Sequence, residues 1–421
     1  MEEISIKNRL ELMNVLPSEA CGEVFTRADV ANNVLKLLKA KPGVFSNPNY
    51  RFLDIYTKSG VFLLLIYIEL MQGLVEAIPD PEIRSQHILG KMIYGVSPSV
   101  ETALISRKTL YSDWSIQGNI KVITGYKNDT GKRTFSNISK EFNGMKFDVV
   151  IGNPPYNNDM YLDFVTLGDQ LATKYTCMIT PAKWQAKGGE KNEAFRKNIV
   201  PRMSKIVYYP NSQDVFDIDC QGGVCYYIIE KDKQTRRSLI TYCKDQPNFN
   251  TDGQEDIADE SLYIMYNSKV RDIVHKLGNF NQLKCQNKCA VGKYNVAITN
   301  VYSEKSCTAK SGTAYVTISP YITRSTVKKN ADTSFLESFD TAEEAKSYIS
   351  YLETRFIRFM FLLAKTSLHM QSEFSWRFVP DPGKFDHIFT DEELYKKYNL
   401  TPEEIAIIES VIKERKQTED K

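Results

Sequence analysis

Four consecutive residues, Asn153-Pro154-Pro155-Tyr156, combine an amide, two ring-locked backbones and an aromatic ring. Two prolines in series fix φ and push the residues before them out of the helical region, so this segment makes a stiff loop. In such a loop the amide oxygen and the adjacent main-chain carbonyl are two acceptors at a fixed separation. The ring beside them can stack on a planar group. That set suits an sp² amino nitrogen, such as the exocyclic nitrogen of a base. The plain alternative is a proline-rich turn capped by a core tyrosine.

The elements around the loop sharpen that reading. Phe147 to Ile151 reads as a buried strand, so the loop leaves the C-terminal end of a strand, where open α/β sheets bind ligands. Further strands are expected at Arg51 to Asp54, Met92 to Val96, Ile120 to Ile123, Cys177 to Ile179, Ile206 to Tyr208 and Val224 to Ile229. Helices are expected at residues 1–20, at Ala28 to Leu38 with Thr26 as a cap, at Val61 to Ile78 and around Val100 to Tyr111. Strands alternating with helices predict a mostly parallel sheet covered on both faces.

The character of the chain changes near residue 250. An acidic loop, Asp252 to Glu260, holds five acids, and a helix is expected at Asn267 to Leu277. Lys284 to Asn330 is rich in β-formers and holds eight Lys or Arg against the single acid Glu304. One long helix is expected from Thr341 to Lys365 and another from Thr401 to Arg415, the latter opened by a Thr401/Glu404 capping signal. Residues 1–279 and 280–421 are therefore read as two domains, the second β-rich and then helical.

Composition closes several other routes. The 421 residues are 42% hydrophobic and 25% charged, enough for a full core and too much for wholesale disorder. The net charge of +2 argues against a protein that coats nucleic acid by bulk charge, but leaves room for a local basic groove. The apolar run Val61 to Ile68 stops at Glu69, well short of the roughly 20 residues of a membrane span, and no signal peptide opens the chain. A cytoplasmic protein with no membrane partner is expected. Eight scattered cysteines indicate thiol use rather than a disulfide framework. Cys285, Cys289 and Cys307 lack a second close pair or an intervening His, so no metal is expected.

Taken in order, the motifs resemble those of the gamma-order N6-adenine DNA methyltransferases of restriction–modification systems. Cys21-Gly-Glu-Val-Phe-Thr26 is similar to the leading motif of that family, with Arg27 where proline is common. Phe52-Leu-Asp54-Ile-Tyr-Thr-Lys58-Ser-Gly60-Val-Phe62 is similar to its cofactor loop, with Lys58 in place of the first glycine. Tyr94-Gly-Val-Ser97 carries serine where an acid commonly holds the ribose. Asp148 through Tyr156 matches the catalytic motif, and Asp214-Val-Phe216 ahead of Gly222-Gly-Val resembles the late motif.

The resemblance implies a Rossmann-like class I methyltransferase domain that uses S-adenosylmethionine, joined to a C-terminal α+β target-recognition domain. It implies Asn153, Pro154 and Tyr156 as catalytic residues, and Pro155 and Phe216 as contacts of a flipped adenine, with Phe216 stacking opposite Tyr156. Thr26, Asp54, Gly60, Ser97 and Phe164 fall at cofactor positions, Gly60 being the point where a side chain would collide with the cofactor. Double-stranded DNA is the implied partner, with a separate restriction or specificity subunit as a further one. Only about 20 residues precede the first motif, so methylation without cutting is expected. Basic residues at Lys183, Lys187, Lys191, Arg196, Lys197, Arg202 and Lys205, and the segments Tyr321 to Arg324 and Ser375 to Phe378, are candidates for the DNA surface. The competing readings are a methyltransferase of RNA or of a protein glutamine, and a DNA-binding subunit that has lost activity.

Overall fold

A nine-stranded sheet forms the frame of the N-terminal part of the chain. The computed structural model describes residues 19–20, 23–113, 115–124, 132–185, 187–209, 212, 215–216, 220, 223–233, 238–242, 253–255, 268–284, 292–299, 320–323, 333–364, 373–412 and 414. The expected helix over 1–20 falls outside them up to residue 18, as do Cys21, Asp214, Gly222, most of the acidic loop, Cys285, Cys289, Cys307 and Arg324. The described residues divide into two compact units, one of 1–182, 190–241 and 252–259, the other of 183–189, 242–251 and 260–421.

A short antiparallel pair, Glu19–Ala20 with Glu23–Val24, stands where the expected first helix would end. The strands of the large sheet are β1 (Phe52–Asp54), β2 (Ile93–Ser97), β3 (Ile120–Val122), β4 (Phe147–Gly152), β5 (Ala172–Pro181), β6 (Met203–Tyr209), β7 (Val224–Glu230), β8 (Ser238–Tyr242) and β9 (Gly253–Glu255). They lie in the order 9-8-6-7-5-4-1-2-3. β1 runs parallel to both β2 and β4, and β4 parallel to β5, while β7 is antiparallel to β5 and to β6. The chain builds outward from β1 to β3, then returns to place β4 on the other side of β1. A switch of direction of this kind opens a crevice at the C-terminal strand ends, between the loops that leave β1 and β4. The register sets Asp54 beside Ile151, so the two loops start side by side.

Burial explains why β4 is legible as a strand: Val149 and Ile151 enter one face of the core and Val150 the other, all with no exposed surface. Strands covered on both faces show such continuous apolar runs. Helix α1 (Ala28–Lys39) buries Val30, Val34, Leu37 and Leu38, as its periodicity predicts, and packs on α2 (Val61–Gly73), β5 and β7. α2 is apolar nearly all round, with Val61 to Ile66 buried. A short α3 (Pro81–His87) and a π-turn over Ile88–Met92 lead to β2, and α4 (Val100–Tyr111) returns the chain to β3. The remaining helices of this unit are α5 (Lys132–Glu141), α6 (Met160–Leu171) and α7 (Glu190–Asn198).

In the second unit, β10 (Tyr294–Thr299) lies between β11 (Pro320–Thr323) and β12 (Thr333–Phe339), antiparallel to both. Its helices are α8 (Ser268–His275), α9 (Ala342–Glu353), α10 (Arg355–Ala364), α11 (Asp391–Lys397) and α12 (Pro402–Val411). The long helix expected from Thr341 is in fact two helices. Thr354 adopts an extended ψ of 148° between them, and its hydroxyl turns back to the Tyr351 carbonyl at 2.8 Å. Hydrophobic periodicity carries across such a break because both helices bury apolar faces. The Thr401/Glu404 capping box is present at α12, with Pro402 in its first turn. No described helix is long and apolar enough to cross a membrane.

Candidate active site

Asn153 follows directly on β4 and is 3% exposed. Its Nδ2 donates to Thr26 Oγ1 at 3.0 Å, across 127 residues of sequence. Thr26 is thus no helix cap: Arg27 occupies that position of α1 and its side chain makes no capping bond. With Nδ2 engaged, Asn153 Oδ1 is the free end of the amide, buried and without a hydrogen-bond partner among the described residues. A buried acceptor left unpaired costs about 1–3 kcal/mol, so an orphan of this kind marks a place where a donor is expected from outside the chain. Pro154 is buried and Pro155 half-buried beside it.

The half-buried Tyr156 packs against the core, and its hydroxyl is a second buried group without a partner. Burial holds that phenol well above its ordinary pKa, with Cys220, Cys225 and Tyr227 adding to the rise. Phe216 lies against the same ring, centroids 6.4 Å apart and planes at 72°. Facing rings that clamp a base must be near parallel and about 7 Å apart, two carbon–carbon contacts of ~3.5 Å. The edge-to-face pair found here is a different arrangement from the expected sandwich, and Phe216 is 1% exposed.

The loop after β1 is built differently. Asp54 is 2% exposed, and its Oδ1 accepts the Tyr56 N–H at 3.1 Å. Burial raises its carboxyl to about 7, opposed by the Tyr56 N–H, the Thr57 side chain and the Lys58 ammonium. Thr57 N–H donates to the Val96 carbonyl at 2.8 Å. Ser97 Oγ donates to the Thr57 carbonyl at 3.0 Å and meets Thr102 Oγ1 at 2.7 Å. Ser106 Oγ donates to the Lys58 carbonyl at 3.1 Å. Hydroxyls of β2 and α4 thus hold this loop at two successive carbonyls.

Gly60 follows with φ 78°, a left-handed conformation that glycine adopts without penalty. A Cβ there would meet the Ser106 backbone at 3.0 Å. The collision that glycine avoids in this structure is with α4. Lys58 is not among the described residues with positive φ, so its backbone conformation accommodates a side chain.

Thr26, Asp54, Tyr56, Lys58, Gly60 and Asn153 are among the residues that line one small cavity. It is far smaller than the roughly 300–1,000 Å³ of whole small-molecule pockets, so it marks where polar groups converge and not the volume of a bound ligand. Ser97 and Phe164 stand behind that wall. Ser97 has no exposed surface, and Phe164, 4% exposed, touches the edge of Tyr56 at 5.3 Å between centroids.

Tyr56, Thr57, Thr102 and Ser106 escaped the sequence reading. A signal for them exists: Thr102, Ser106 and Thr109 recur on one face of α4 and are all buried, a polar stripe where an apolar one is usual. Several candidates for a DNA surface prove to be engaged internally. Lys191 pairs with Asp163 at 2.6 Å, and Arg202 grips Asp169 through two bonds of 2.6 and 2.7 Å, with Lys231 also within 3.1 Å of Asp169. Trp376 is fully buried edge-on to Phe361 and Ser375 is 8% exposed, so these two are core, while Arg377 and Phe378 are half-buried. Tyr321 is 41% exposed.

Residues 91–159 and 156–216 match the model of the Eco57I restriction-modification methylase family. Among curated proteins, an uncharacterized adenine-specific methylase of Mycoplasma pneumoniae is 26% identical over 309 residues, covering 55% of this chain and 72% of the relative. Among solved structures, the M protein of the type I restriction enzyme EcoKI superposes with a TM-score of 0.40 at 14% identity, over 59% of this chain and 54% of its own. The methyltransferase subunit of a type I restriction-modification system from Streptococcus thermophilus gives 0.40 at 12% identity, over 67% and 60%. This chain therefore spans only about half the length of the EcoKI protein. The doubly wound strand order is read from this chain's own strands.

Proposed function

We propose that this chain, a methyltransferase of the restriction-modification type, transfers a methyl group from S-adenosylmethionine to the N6 amino group of adenine in double-stranded DNA. The unpartnered, buried Oδ1 of Asn153 carries this reading. Such an acceptor, pinned through its other end to Thr26, is complementary to an amino N–H brought to it. The Pro154 carbonyl is the second acceptor for that nitrogen. Accepting both protons draws the nitrogen toward tetrahedral geometry and concentrates its lone pair, so the work of the protein is positioning and electrostatics.

Adenine inside a duplex hides its amino group in the stack, and the loop after β4 reads a base that has been turned out of it. Tyr156 supplies the stacking face, worth about 1–3 kcal/mol, with Pro155 bordering it and Phe216 turning from its edge-on position to take the other side. The polar groups around the small cavity are assigned to the cofactor: Thr26, Asp54 and Gly60 line it, and Ser97 and Phe164 support its walls. When bound, the cofactor supplies an electrophilic methyl on sulfur. The second unit, with the basic excess at 284–330, is assigned to target recognition, and a separate specificity or restriction subunit is the expected companion.

The deciding experiment follows transfer of a labelled methyl group to DNA, RNA and protein, with Asn153→Ala as control. Wild-type label should appear as N6-methyladenine in DNA, and Asn153→Ala should lose at least about 100-fold in rate while still binding cofactor. Label confined to RNA or protein, or near-normal transfer by the variant, would refute the assignment.

A further inference from the structure

Between β6 and β7 the described residues are Ser212, Val215, Phe216, Cys220 and Gly223, and one serine ties them together. The Ser212 carbonyl accepts the Val215 N–H at 3.0 Å and the Phe216 N–H at 2.8 Å. Its Oγ accepts the Cys220 N–H at 2.7 Å. The Cys220 carbonyl in turn accepts the Gly223 N–H at 2.9 Å, and the Gly223 carbonyl accepts the N–H of Ala182, one residue past β5, at 2.9 Å. Ser212 is 1% exposed, so its hydroxyl has to be matched by a partner inside the protein. Two side chains carried by this network reach Tyr156. Phe216 meets its ring edge-on, and the Cys220 thiol lies near enough to act on its phenol.

Bonds of this kind fix the backbone and leave side-chain torsions free. With its N–H held by Ser212, Phe216 changes its angle to Tyr156 by turning about its own side-chain bonds rather than by moving with the loop. Its ring centre already stands 6.4 Å from that of Tyr156, close to the about 7 Å across a base held between two rings. Little beyond rotation is needed to open the gap. We propose that Ser212 is a positioning residue for methyl transfer: its carbonyl and hydroxyl set the gap between Phe216 and Tyr156 that receives the extruded base. This rests on the stacking role given to Phe216 above and adds to it the group that holds the ring in place. The cost of ordering the loop then falls on folding instead of on binding DNA, which is how preorganisation favours the reactive complex. Among these bonds, only the one to Cys220 uses the serine side chain. Ser212→Ala therefore keeps both carbonyl bonds and releases the Cys220 end of the loop.

The test is a double-mutant cycle on the full chain, read as the single-turnover rate of labelled methyl transfer to amplified, unmethylated duplex DNA of mixed sequence. Phe216→Ala should lower the rate by about 10- to 100-fold, through loss of one stacking face. Ser212→Ala should lower it about fivefold or more at saturating DNA. Ser212→Thr, which keeps the hydroxyl, should restore most of the rate. In the Phe216→Ala background, Ser212→Ala should cost less than about twofold more, because the ring that it positions is gone. Losses that multiply across the cycle overturn the proposal, since Ser212 would then act apart from Phe216. A Ser212→Ala chain with the wild-type rate also overturns it. So does one whose melting midpoint falls by more than about 10 °C, which would make the hydroxyl part of the scaffold. An unchanged rate in Phe216→Ala removes the stacking role itself, a result separate from each of those.

Discussion

The two loops that leave β1 and β4 start side by side and have opposite characters. After β1, the backbone is tied by its neighbours: Thr57 and Lys58 carbonyls accept hydroxyls from Ser97 and Ser106, and the Thr57 N–H reaches Val96. After β4, the stiffness comes from two prolines, and two polar ends, Asn153 Oδ1 and the Tyr156 hydroxyl, are buried without partners among the described residues. A loop satisfied from within serves as a cradle whose shape must not change. A loop with unmet hydrogen-bonding capacity is prepared for a substrate, and the protein carries the cost of that capacity in its stability.

Breaking the second loop should have the largest effect. Asn153→Ala removes the unmet acceptor, and with the fall in transfer of about 10²- to 10³-fold should come only a modest loss of stability, because deletion of the unpaired buried oxygen offsets part of the cost of losing the bond to Thr26. Thermal melting together with single-turnover transfer checks both halves. A variant that unfolds easily would mean Asn153 belongs to the scaffold.

Asp54 gives the cradle a pH signature. Its folded-state pKa of about 7 lies above the ordinary 3.8, so between those values the native chain keeps a proton that the unfolded chain has released. The stabilisation is complete below pH 4 and is lost as pH rises toward 7, by an amount on the order of 4 kcal/mol. Asp54→Asn should flatten that part of the stability-against-pH curve, as urea titrations across the range will register.

Ser106→Ala leaves the Lys58 carbonyl without its donor and should cost about 1–3 kcal/mol of stability, with weaker S-adenosylhomocysteine binding and an unchanged single-turnover rate at saturating cofactor. That split sharpens the contrast, since it marks the first loop as structural. Thr26→Val should have the smallest effect, about tenfold in turnover with KM for DNA nearly unchanged. It frees the Asn153 amide to rotate without removing it, and Thr26→Ser should restore most of the rate.

Much of the frame was legible in the chain. Phe147 to Gly152 and the two prolines after it announce a central strand and a stiff loop, and α1 and α4 follow their periodicities almost to the residue. The misreadings share a cause. Thr26 looked like a cap, Trp376 like a contact residue and Thr341 to Lys365 like one helix, because each was judged by its sequence neighbours. The structure placed Thr26 against a residue 127 positions away, Trp376 against Phe361, and a break at Thr354.

Residue order alone determined the alternation of strands and helices and the chemistry of the groups after β4, since backbone preference and apolar period act over a few neighbours. The tertiary structure decided which end of the Asn153 amide is engaged, that a lysine and an aspartate share one small cavity, and that Ser97 and Ser106 brace carbonyls. Those outcomes depend on which distant groups are pressed together when water is excluded. A linear pattern records the type of each group but not its partner.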